Sequence, residues 1–542
     1  MRKWIARFAV VHKENLCALA LILFFIVFNF LSMQNKTRTA DEDKHYSYGM
    51  NILNLNSDRL QLPSGIFDDS KMPITALNAL PAWLAQRLPA SAFKNQLNKF
   101  YTARFVTVLF SALVAWLVFR WSRSLYGFIP ALGSLFLYVL DPNIIAHSEL
   151  VTTDVYAAGM IAFSFYWLWK FANSRKTSDG LIFVLVLGLS QLAKFTCVVL
   201  FPLALLAILG HDWFFLKLRD KKYFVKLFMY TLLAVVTAVF IINLGYLFNR
   251  TFTPFKDYQL ESNGLLAIQT KLPWLGNIPV PTPYPFLQGL DLISYRNSTS
   301  LGYGNIYMLG QLHKTGGFKG FYFVASFFKV PIASQLVLLA AIIFYFWDKQ
   351  RRARFWMDGI FFFVPVVFFT IYLNFFLNAQ LGIRLYLVVF PLLYVFAGHL
   401  FQNWQAFTKP QRALTFILAA YLAASVFSYY PDYIPYFNEF VWDRRMAYKI
   451  LVDSDLDWGQ SKYYLSQYMA AHPNVQQEPD RIVIGRIVIS PNELVGRTVD
   501  PSTYAWLRDN FVPVDVVAHT YLVYDVHSPD LVRLCQTKSI CP

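Results

Sequence analysis

Three consecutive acidic residues follow the first long apolar run of the sequence. Asp41, Glu42 and Asp43 stand beside Lys44 and His45, at the point where a chain that had crossed a lipid bilayer would leave it. Charged groups at a membrane are costly, so each of them needs a reason. A positioned carboxylate can accept a proton from a bound hydroxyl group, and the cluster is therefore a candidate for general-base chemistry.

A second set of ionisable residues lies in the segment LDPNIIAHSELVTTD, which contains Asp141, His147, Glu149 and Asp154. Asp154 opens an apolar segment, and an aspartate at such a point is commonly an N-cap that satisfies free backbone N–H groups. The alternative is a functional carboxylate. Further charges predicted on the same membrane face favour that alternative.

Three basic residues belong to the same predicted face. Lys71 follows FDDS, Lys194 lies between two apolar runs, and Arg384 begins a run within NAQLGIRLYLVVFP. Taken singly, Lys194 and Arg384 are also explained by cationic heads that snorkel to the interface. Together, the three suit a site that holds a phosphate or pyrophosphate at the depth of lipid headgroups. Carboxylates and cations on one face predict general-base chemistry on a lipid-linked phosphate ester.

The elements that must position these residues are membrane spans. Of the 542 residues, 56% are hydrophobic and only 15% are charged, which is typical of a polytopic membrane protein. Apolar runs of roughly bilayer length predict a mostly α-helical protein of about eleven spans. These runs cover residues 15–33, 103–120, 128–141, 155–171, 181–193, 196–210, 227–247, 331–347, 358–376, 384–401 and 413–429.

The distribution of basic residues predicts the orientation. Arg2, Lys3 and Arg7 precede the first run, whereas the short loop 142–153 has neither lysine nor arginine. This asymmetry places the N-terminus inside and the C-terminus outside. Much of the formal charge of +16 lies in loops that flank spans, so anionic membrane lipids are the expected partners and nucleic acid is not.

Two domains are predicted. Residues 1–445 form the transmembrane part, with outer loops at 34–102 and 248–330, and residues 446–542 form a small extracytoplasmic α/β domain of helix and strand patterns. Cys17 and Cys197 lie in apolar runs, where packing is expected. Cys535 and Cys541 lie in the exported tail, where a disulfide is permitted.

The ordered set of motifs resembles the GT-C superfamily of integral-membrane glycosyltransferases. The resemblance is to the branch, of family 39 type, that holds the protein O-mannosyltransferases and the aminoarabinose transferase of lipid A. The motifs are Asp41-Glu42, Lys71-Met72-Pro73, LDPNIIAHSELVTTD ending at Asp154, LAKFT with Lys194, NAQLGIRLY with Arg384, and DYIPYFNEF followed by DSDLDWGQ.

The resemblance implies a polyprenyl-phosphate sugar donor and an inverting transfer of a hexosyl or pentosyl group. Asp41 matches the proposed base, with Glu42 and Asp154 as the other catalytic residues. Lys71, Lys194, Arg384, His45 and His147 are the expected substrate-binding residues. A divalent metal ion is left open, with Asp41, Glu42, Asp154 and His147 as its possible ligands. Repulsion among the acids is expected to raise the pKa of the base.

The acceptor is left open between a glycan, a lipid and a protein. The C-terminal part lacks the β-trefoil-like repeats of eukaryotic protein mannosyltransferases, which puts a protein acceptor in doubt. The acidic segment DSDLDWGQ is read either as part of the acceptor side or as a helix start with Asp457 near the cap. The compact chain indicates a bacterial inner membrane, with the active site facing the periplasm.

Two other classes of function compete with an enzyme. A lipid-carrier transporter or flippase predicts charges spread through the middle of the membrane and an inverted repeat. Here the charges gather on one predicted face and no repeat is evident. A non-catalytic membrane scaffold that binds lipid is the second competitor, and it would tolerate the loss of Asp41.

Overall fold

The computed structural model describes residues 2–60 and 70–532. The cysteines expected to staple the tail, Cys535 and Cys541, lie outside the described residues. Most of the chain is helical. The first helices are α1 (Arg2–Ser32), α2 (Glu42–Leu53), α3 (Ala76–Ala85), α4 (Ala92–Leu97), α5 (Phe100–Tyr126), α6 (Phe128–Val139), α7 (Pro142–Ser148), α8 (Asp154–Ser174), α9 (Thr177–Ser190), α10 (Leu200–Gly210) and α11 (Lys221–Gly245).

The later part of the chain contains the remaining helices and six short strands within the described residues. The helices are α12 (Asn263–Lys271), α13 (Tyr284–Thr299), α14 (Phe321–Lys329), α15 (Ile332–Trp347), α16 (Lys349–Ala353), α17 (Ile360–Phe375), α18 (Phe390–Ala397), α19 (Lys409–Phe427), α20 (Lys462–Ala471), α21 (Pro491–Leu494) and α22 (Ala505–Arg508). The strands are β1 (Ile306–Met308), β2 (Gln311–His313), β3 (Gln476–Gln477), β4 (Gly485–Ile489), β5 (Asp515–Val517) and β6 (Tyr521–Val526).

The chain is a multi-pass membrane protein. Within the described residues, seven helical segments are long and apolar enough to cross a bilayer, and two bent helix pairs raise that number to nine. The seven are Glu14–Ser32, Phe100–Tyr126, Phe195–Phe215, Lys221–Gly245, Phe355–Phe375, Ile383–Phe401 and Lys409–Phe427.

Proline explains both bends. Helix α6 meets α7 at 61°, and α14 meets α15 at 118°. Pro142 is the first residue of α7, and Pro331 immediately precedes α15. Proline disfavours a helical conformation in the residue before it, and Asp141 and Val330 are accordingly extended.

The remaining two of the eleven predicted runs form α8 and α9. Helix α8 is buried along most of its length inside the protein. Helix α9 has 14 residues, which at about 1.5 Å per residue is short of the roughly 30 Å hydrocarbon core. The expected count of about eleven therefore becomes seven to nine by length and composition.

The C-terminal elements form a four-stranded sheet in the order β3-β4-β6-β5, in which only the β3–β4 pair is parallel. Alternate residues of β4 and β6 face opposite sides. Ile487 and Leu522 join the main core, which also contains residues of the spans, whereas Val488 and Val523 pack with Leu465 of α20. The sheet is thereby fixed against the transmembrane part. This part of the chain therefore contains both helices and strands, as its sequence patterns predict.

Segments predicted on the outer side meet at one end of the helix bundle. The backbone N–H of Thr37 donates to the carbonyl of Gln460 at 2.9 Å, and that of Ala40 donates to the carbonyl of Trp458 at 3.1 Å. The chain leaving α1 is therefore held against the segment that enters the C-terminal sheet. This contact brings the first acidic cluster beside the DSDLDWGQ segment.

The predicted orientation can be tested by cysteine labelling in intact cells. In a variant without Cys535 and Cys541, we expect a membrane-impermeant thiol reagent to label Ser298→Cys and Asp480→Cys but not Lys222→Cys, because the positive-inside pattern puts only position 222 in the cytoplasm. All three positions are exposed. Labelling at position 222 before the cells are opened would reverse the orientation.

Candidate active site

A cavity of about 1450 Å³ opens between one end of the helix bundle and the C-terminal sheet. The structure brings six of the eight predicted site residues to its wall: Asp41, His45, Lys71, Asp154, Lys194 and Arg384. These residues come from five separate parts of the chain. The other two, Glu42 and His147, lie outside the wall.

Arg384 lies at the centre of this group. Its Nη1 is 3.0 Å from Oδ2 of Asp41 and 3.8 Å from Oδ2 of Asp154. Its Nε donates to the carbonyl of Leu381 at 3.0 Å. Its guanidinium carbon lies 4.1 Å from the ring centre of Trp458, which is a cation–π distance. One arginine therefore links two carboxylates that are more than a hundred residues apart in sequence.

The backbone around Arg384 is held by a buried carboxylate. The N–H of Ile383 donates to Oδ1 of Asp455 at 2.9 Å, and Nζ of Lys329 lies 3.9 Å from the same oxygen. Gly382 has φ of +74°, and a Cβ there would lie 2.7 Å from Oγ of Ser454. A side chain at position 382 would therefore push the Arg384 backbone away from the 453–455 segment.

Asp154 pairs with Lys194 as well as with Arg384. The N-cap of α8 is Thr153, and Asp154 is the first helical residue, so the N-cap interpretation of Asp154 is wrong. Asp154 still lies in the first turn, where the helix dipole favours a negative charge. Lys194 is extended and precedes a 3₁₀ turn at Phe195–Val199, which turns its side chain back towards α8.

Asp41 is the more accessible of the two carboxylates, with 27% of its side chain exposed against 2% for Asp154. It precedes α2 without capping it through its side chain. Burial acts to raise the pKa of Asp41, but Arg384, Lys71 and His45 outweigh it and hold that pKa well below its usual range. The expectation of a raised pKa is therefore wrong, because cations and not carboxylates are its main neighbours.

Lys71 is fully enclosed, with 1% of its surface exposed, yet it borders the cavity. Its Nζ donates to Oγ of Ser70 at 2.9 Å, and its carbonyl accepts from Nη1 of Arg59 at 2.9 Å. Arg59 in turn donates to the carbonyl of Pro285 at 2.8 Å. The two outer loops thus fix Lys71 together.

Glu42 is fully buried behind the cavity wall. Arg104 donates to it from Nε at 2.8 Å and from Nη2 at 2.6 Å, in a bidentate pair. The backbone N–H groups of Thr39 and Val151 add bonds of 2.9 and 3.0 Å. Both carboxylate oxygens are therefore engaged in joining the first outer loop to α5 and to the loop before α8.

His147 is also buried, in α7, with its ring centre 6.2 Å from that of Trp458. The segment DSDLDWGQ reaches the cavity through Asp453, Asp457 and Trp458. Helix α20 begins only at Lys462, with Ser461 as its N-cap, so Asp457 is not a helix cap. It accepts from the N–H of Gly459 at 2.9 Å and from Oγ of Ser490 at 2.5 Å.

Sequence reasoning did not single out several residues that support the site. Arg104 lies within a span, Lys329 lies at the end of α14, and Asp455 is fully buried. An ionisable residue inside an apolar helix is the general signal that could have found Arg104.

The donor set does not fit a divalent metal ion. Among residues 2–60 and 70–532, no group of three or more His, Cys, Asp or Glu side chains is placed to hold one. Asp41 and Asp154 face Arg384, and Glu42 faces Arg104. Hard cations need several oxygen ligands that are not already paired with cationic side chains.

Part of the sequence matches a known family of membrane glycosyltransferases. Residues 81–246, which include Asp154 and Lys194, match the family model for dolichyl-phosphate-mannose-protein mannosyltransferase. The match confirms the resemblance to the GT-C superfamily of membrane glycosyltransferases. A search of curated proteins found no significant match to the sequence.

Solved structures include chains of similar architecture at low identity. ArnT from Cupriavidus metallidurans bound to undecaprenyl phosphate is 11% identical, with a TM-score of 0.49 over 93% of this chain and 97% of that chain. The oligosaccharyltransferase of Archaeoglobus fulgidus in the apo form is 14% identical, with a TM-score of 0.48 over 77% of this chain and 55% of that chain.

The buried Arg104–Glu42 pair predicts a large loss of stability when one partner is removed. Arg104→Met leaves a buried carboxylate without its cation, a change that typically costs about 3–5 kcal/mol. We expect a clear fall in the melting temperature of the purified protein in detergent. The matched control is Arg38→Met, which removes the exposed pair with Asp43 and should leave the melting temperature nearly unchanged. Equal shifts in the two variants would contradict a stabilising role for the buried pair.

Proposed function

We propose that this chain is a glycosyltransferase that moves a sugar from a polyprenyl-phosphate donor to an acceptor hydroxyl group. The observation that carries the proposal is the convergence of Asp41, Asp154, Lys194 and Arg384 on a cavity that also has an apolar wall. A phosphate needs the cations, and a lipid chain needs the apolar wall. The attacking hydroxyl group needs a carboxylate that can accept its proton.

The apolar wall lies next to Arg384 in the chain and in space. Phe368, Tyr372 and Leu377 supply it from α17 and the loop that follows, and Leu385 and Val388 supply it from the segment after Arg384. Both parts belong to candidate spans or their ends. A lipid chain in this part of the cavity would place its phosphate beside Arg384, Lys194 and Lys71.

The reaction balances with the residues present. The acceptor oxygen forms a bond to the anomeric carbon as its proton passes to Asp41. The bond between the anomeric carbon and the phosphate oxygen breaks, and its electron pair leaves with the polyprenyl phosphate. Attack opposite to the leaving group inverts the anomeric configuration. Arg384, Lys71 and Lys194 stabilise the charge that develops on the leaving phosphate.

Asp41 needs its cationic neighbours to be neutralised before it acts as a base. In the free protein Arg384 and Lys71 keep it ionised, but they also make it a weak proton acceptor. A bound phosphate brings negative charge to the same cations. That charge raises the pKa of Asp41, so donor binding itself prepares the base.

The other predicted residues have supporting roles in this scheme. Asp154 holds Lys194 and shares Arg384. His45 borders the cavity beside Asp41, and His147 packs against Trp458. Glu42 is a positioning residue, because its bonds to Arg104, Thr39 and Val151 fix the start of α2 beside the cavity. The proposed location is a bacterial inner membrane, with this cavity on the periplasmic side.

The test is transfer of labelled sugar by the Asp41→Asn variant. Asparagine keeps the size of the side chain but cannot take up the proton, so turnover should fall by about two to four orders of magnitude. Donor binding, measured separately by displacement of a labelled polyprenyl phosphate, should be retained, because loss of a negative charge relieves repulsion towards phosphate.

The matched control is Asp43→Asn. Asp43 is two residues away in the same cluster, but it is exposed and pairs with Arg38. Its variant should keep full turnover. Full transfer by Asp41→Asn would rule out Asp41 as the base, and equal loss of binding and transfer would assign Asp41 to the architecture of the site.

A further inference from the structure

The cavity extends from the proposed reaction centre into a second region, which we call the C-terminal arm. Its wall is formed by Asp453, Asp457, Glu478, Asn492, Glu493 and Arg497. The outer-loop residues Leu301, Gly302 and Tyr303 close it on the other side. These residues come mainly from the C-terminal part of the chain, whereas the apolar wall comes from α17 and the segment after Arg384.

The C-terminal arm is rich in hydrogen-bond acceptors and has a negative balance. Four of its side chains are carboxylates, and the nearby cations are Arg497, Lys462 and Arg296, the last of which lies against Gly302. Nη2 of Arg497 lies 3.0 Å from Oδ1 of Asp453 and donates to the carbonyl of Tyr303 at 3.0 Å. Arg497 thus joins the outer loop to the C-terminal sheet, and part of its donor capacity is taken by the protein itself.

One carboxylate oxygen in the wall of the arm accepts no hydrogen bond from the described residues. Oδ2 of Asp453 is buried and has no hydrogen-bond partner within residues 2–60 and 70–532. A buried acceptor without a donor is unfavourable, and more so when it is charged. The Asp453 side chain borders the cavity, so a bound molecule can supply that donor.

The position of Asp453 is set by strained backbone and by neighbours. Its φ is +59°, a left-handed conformation that non-glycine residues adopt uncommonly and aspartate or asparagine tolerate best. Its N–H donates to Oδ1 of Asn492 at 2.7 Å. Such conformations persist where the surrounding structure enforces them, often at functional sites.

We propose that the C-terminal arm binds the acceptor, and that the acceptor is a neutral saccharide whose hydroxyl groups donate to these carboxylates. The inference rests on the proposed glycosyl transfer and specifies its second substrate. Hydroxyl groups are donors as well as acceptors, which suits a wall of carboxylate and amide oxygens. Trp458 and Tyr521 add aromatic surface to the same cavity.

The charges argue against an acceptor that carries phosphate. A phosphorylated glycolipid would bring like charge towards four carboxylates, which is unfavourable. An extended peptide is less suited for a different reason. Such a peptide commonly adds to a free strand edge, whereas the strand at this edge of the sheet, β3, has only the two residues Gln476 and Gln477.

A saccharide in the arm lies within reach of the proposed base. Ser454, the neighbour of Asp453, donates from Oγ to the carbonyl of Leu381 at 2.6 Å, three residues before Arg384, and Arg384 contacts Asp41. The arm, the arginine and the base therefore follow one another along the same cavity. A terminal sugar at the inner end of the arm would present its hydroxyl group to Asp41 opposite the donor phosphate.

The experiment uses the full chain in lipid nanodiscs, with a labelled polyprenyl-phosphate sugar as donor. The acceptors are neutral gluco-, manno- and galacto-oligosaccharides, a phosphorylated glycolipid and a serine- and threonine-containing peptide. We expect transfer to at least one neutral oligosaccharide. We expect Asp453→Asn to raise the KM for that acceptor at least tenfold with donor binding unchanged, because asparagine keeps the left-handed backbone but removes the charge.

The matched control is Asp525→Asn, which removes a carboxylate of the same sheet that pairs with Arg486 outside the cavity. Its acceptor KM should equal that of the unmodified chain. The proposal is overturned if no neutral oligosaccharide is glycosylated, or if Asp453→Asn leaves the acceptor KM unchanged. A different result would contradict the proposed function itself. In that case, the unmodified chain would not bind polyprenyl phosphate.

Discussion

The cavity depends on one buried guanidinium group that is shared between two carboxylates. Arg384 contacts Asp41 at 3.0 Å and Asp154 at 3.8 Å, and Lys194 supplies the second cation for Asp154. Removing these charges from water is costly, and their mutual attraction repays that cost only with good geometry. The surrounding elements provide that geometry. The Ile383 bond to Asp455, the absence of a side chain at Gly382 and the ring of Trp458 all fix the arginine.

This arrangement has a consequence for the proposed reaction, because the arginine that would hold the donor phosphate also contacts the proposed base, Asp41. Without donor, its charge is balanced by the two aspartates. In the proposed reaction, a phosphate that enters from the apolar side would compete for that charge, and Asp41 would then become a stronger base. A glycosyltransferase of this design would activate its base only when the donor is bound. An acceptor that binds alone would then not be deprotonated.

The positions of the helices can be predicted from the local sequence. The contacts between distant segments cannot. Each of the eleven apolar runs is helical, because long uncharged segments must satisfy their backbone hydrogen bonds internally. Among the described residues, seven to nine segments meet the length and composition expected of a span, against about eleven apolar runs, and α9 falls short because it has only 14 residues. Asp154, Lys194 and Arg384 could be proposed from their positions at the ends of such runs, whereas Asp41 and Lys71 could be proposed from their motifs in the loop after the first run.

The chemistry of individual residues depended on tertiary contacts that sequence does not reveal. Asp41 and Glu42 are adjacent, yet Asp41 faces the cavity and Glu42 faces Arg104 from α5. The expected upward shift of the Asp41 pKa was wrong because it considered the acids nearby in sequence and not the cations brought from elsewhere. Asp455 and Lys329, which hold the Arg384 backbone, meet across 126 residues of chain.

The pH dependence of kcat/KM for the donor tests the central claim most directly, since this quantity reports the ionisation of the free protein. The cations keep the pKa of Asp41 below its ordinary value of about 3.9, so Asp41 is ionised at every pH above that value and loses its charge only in stronger acid. The account predicts that kcat/KM shows no acid limb from Asp41 between about pH 5 and pH 8. An acid limb in that range that persists in a His45→Gln variant would contradict it, because the essential base would then be a group that is not held ionised by Arg384.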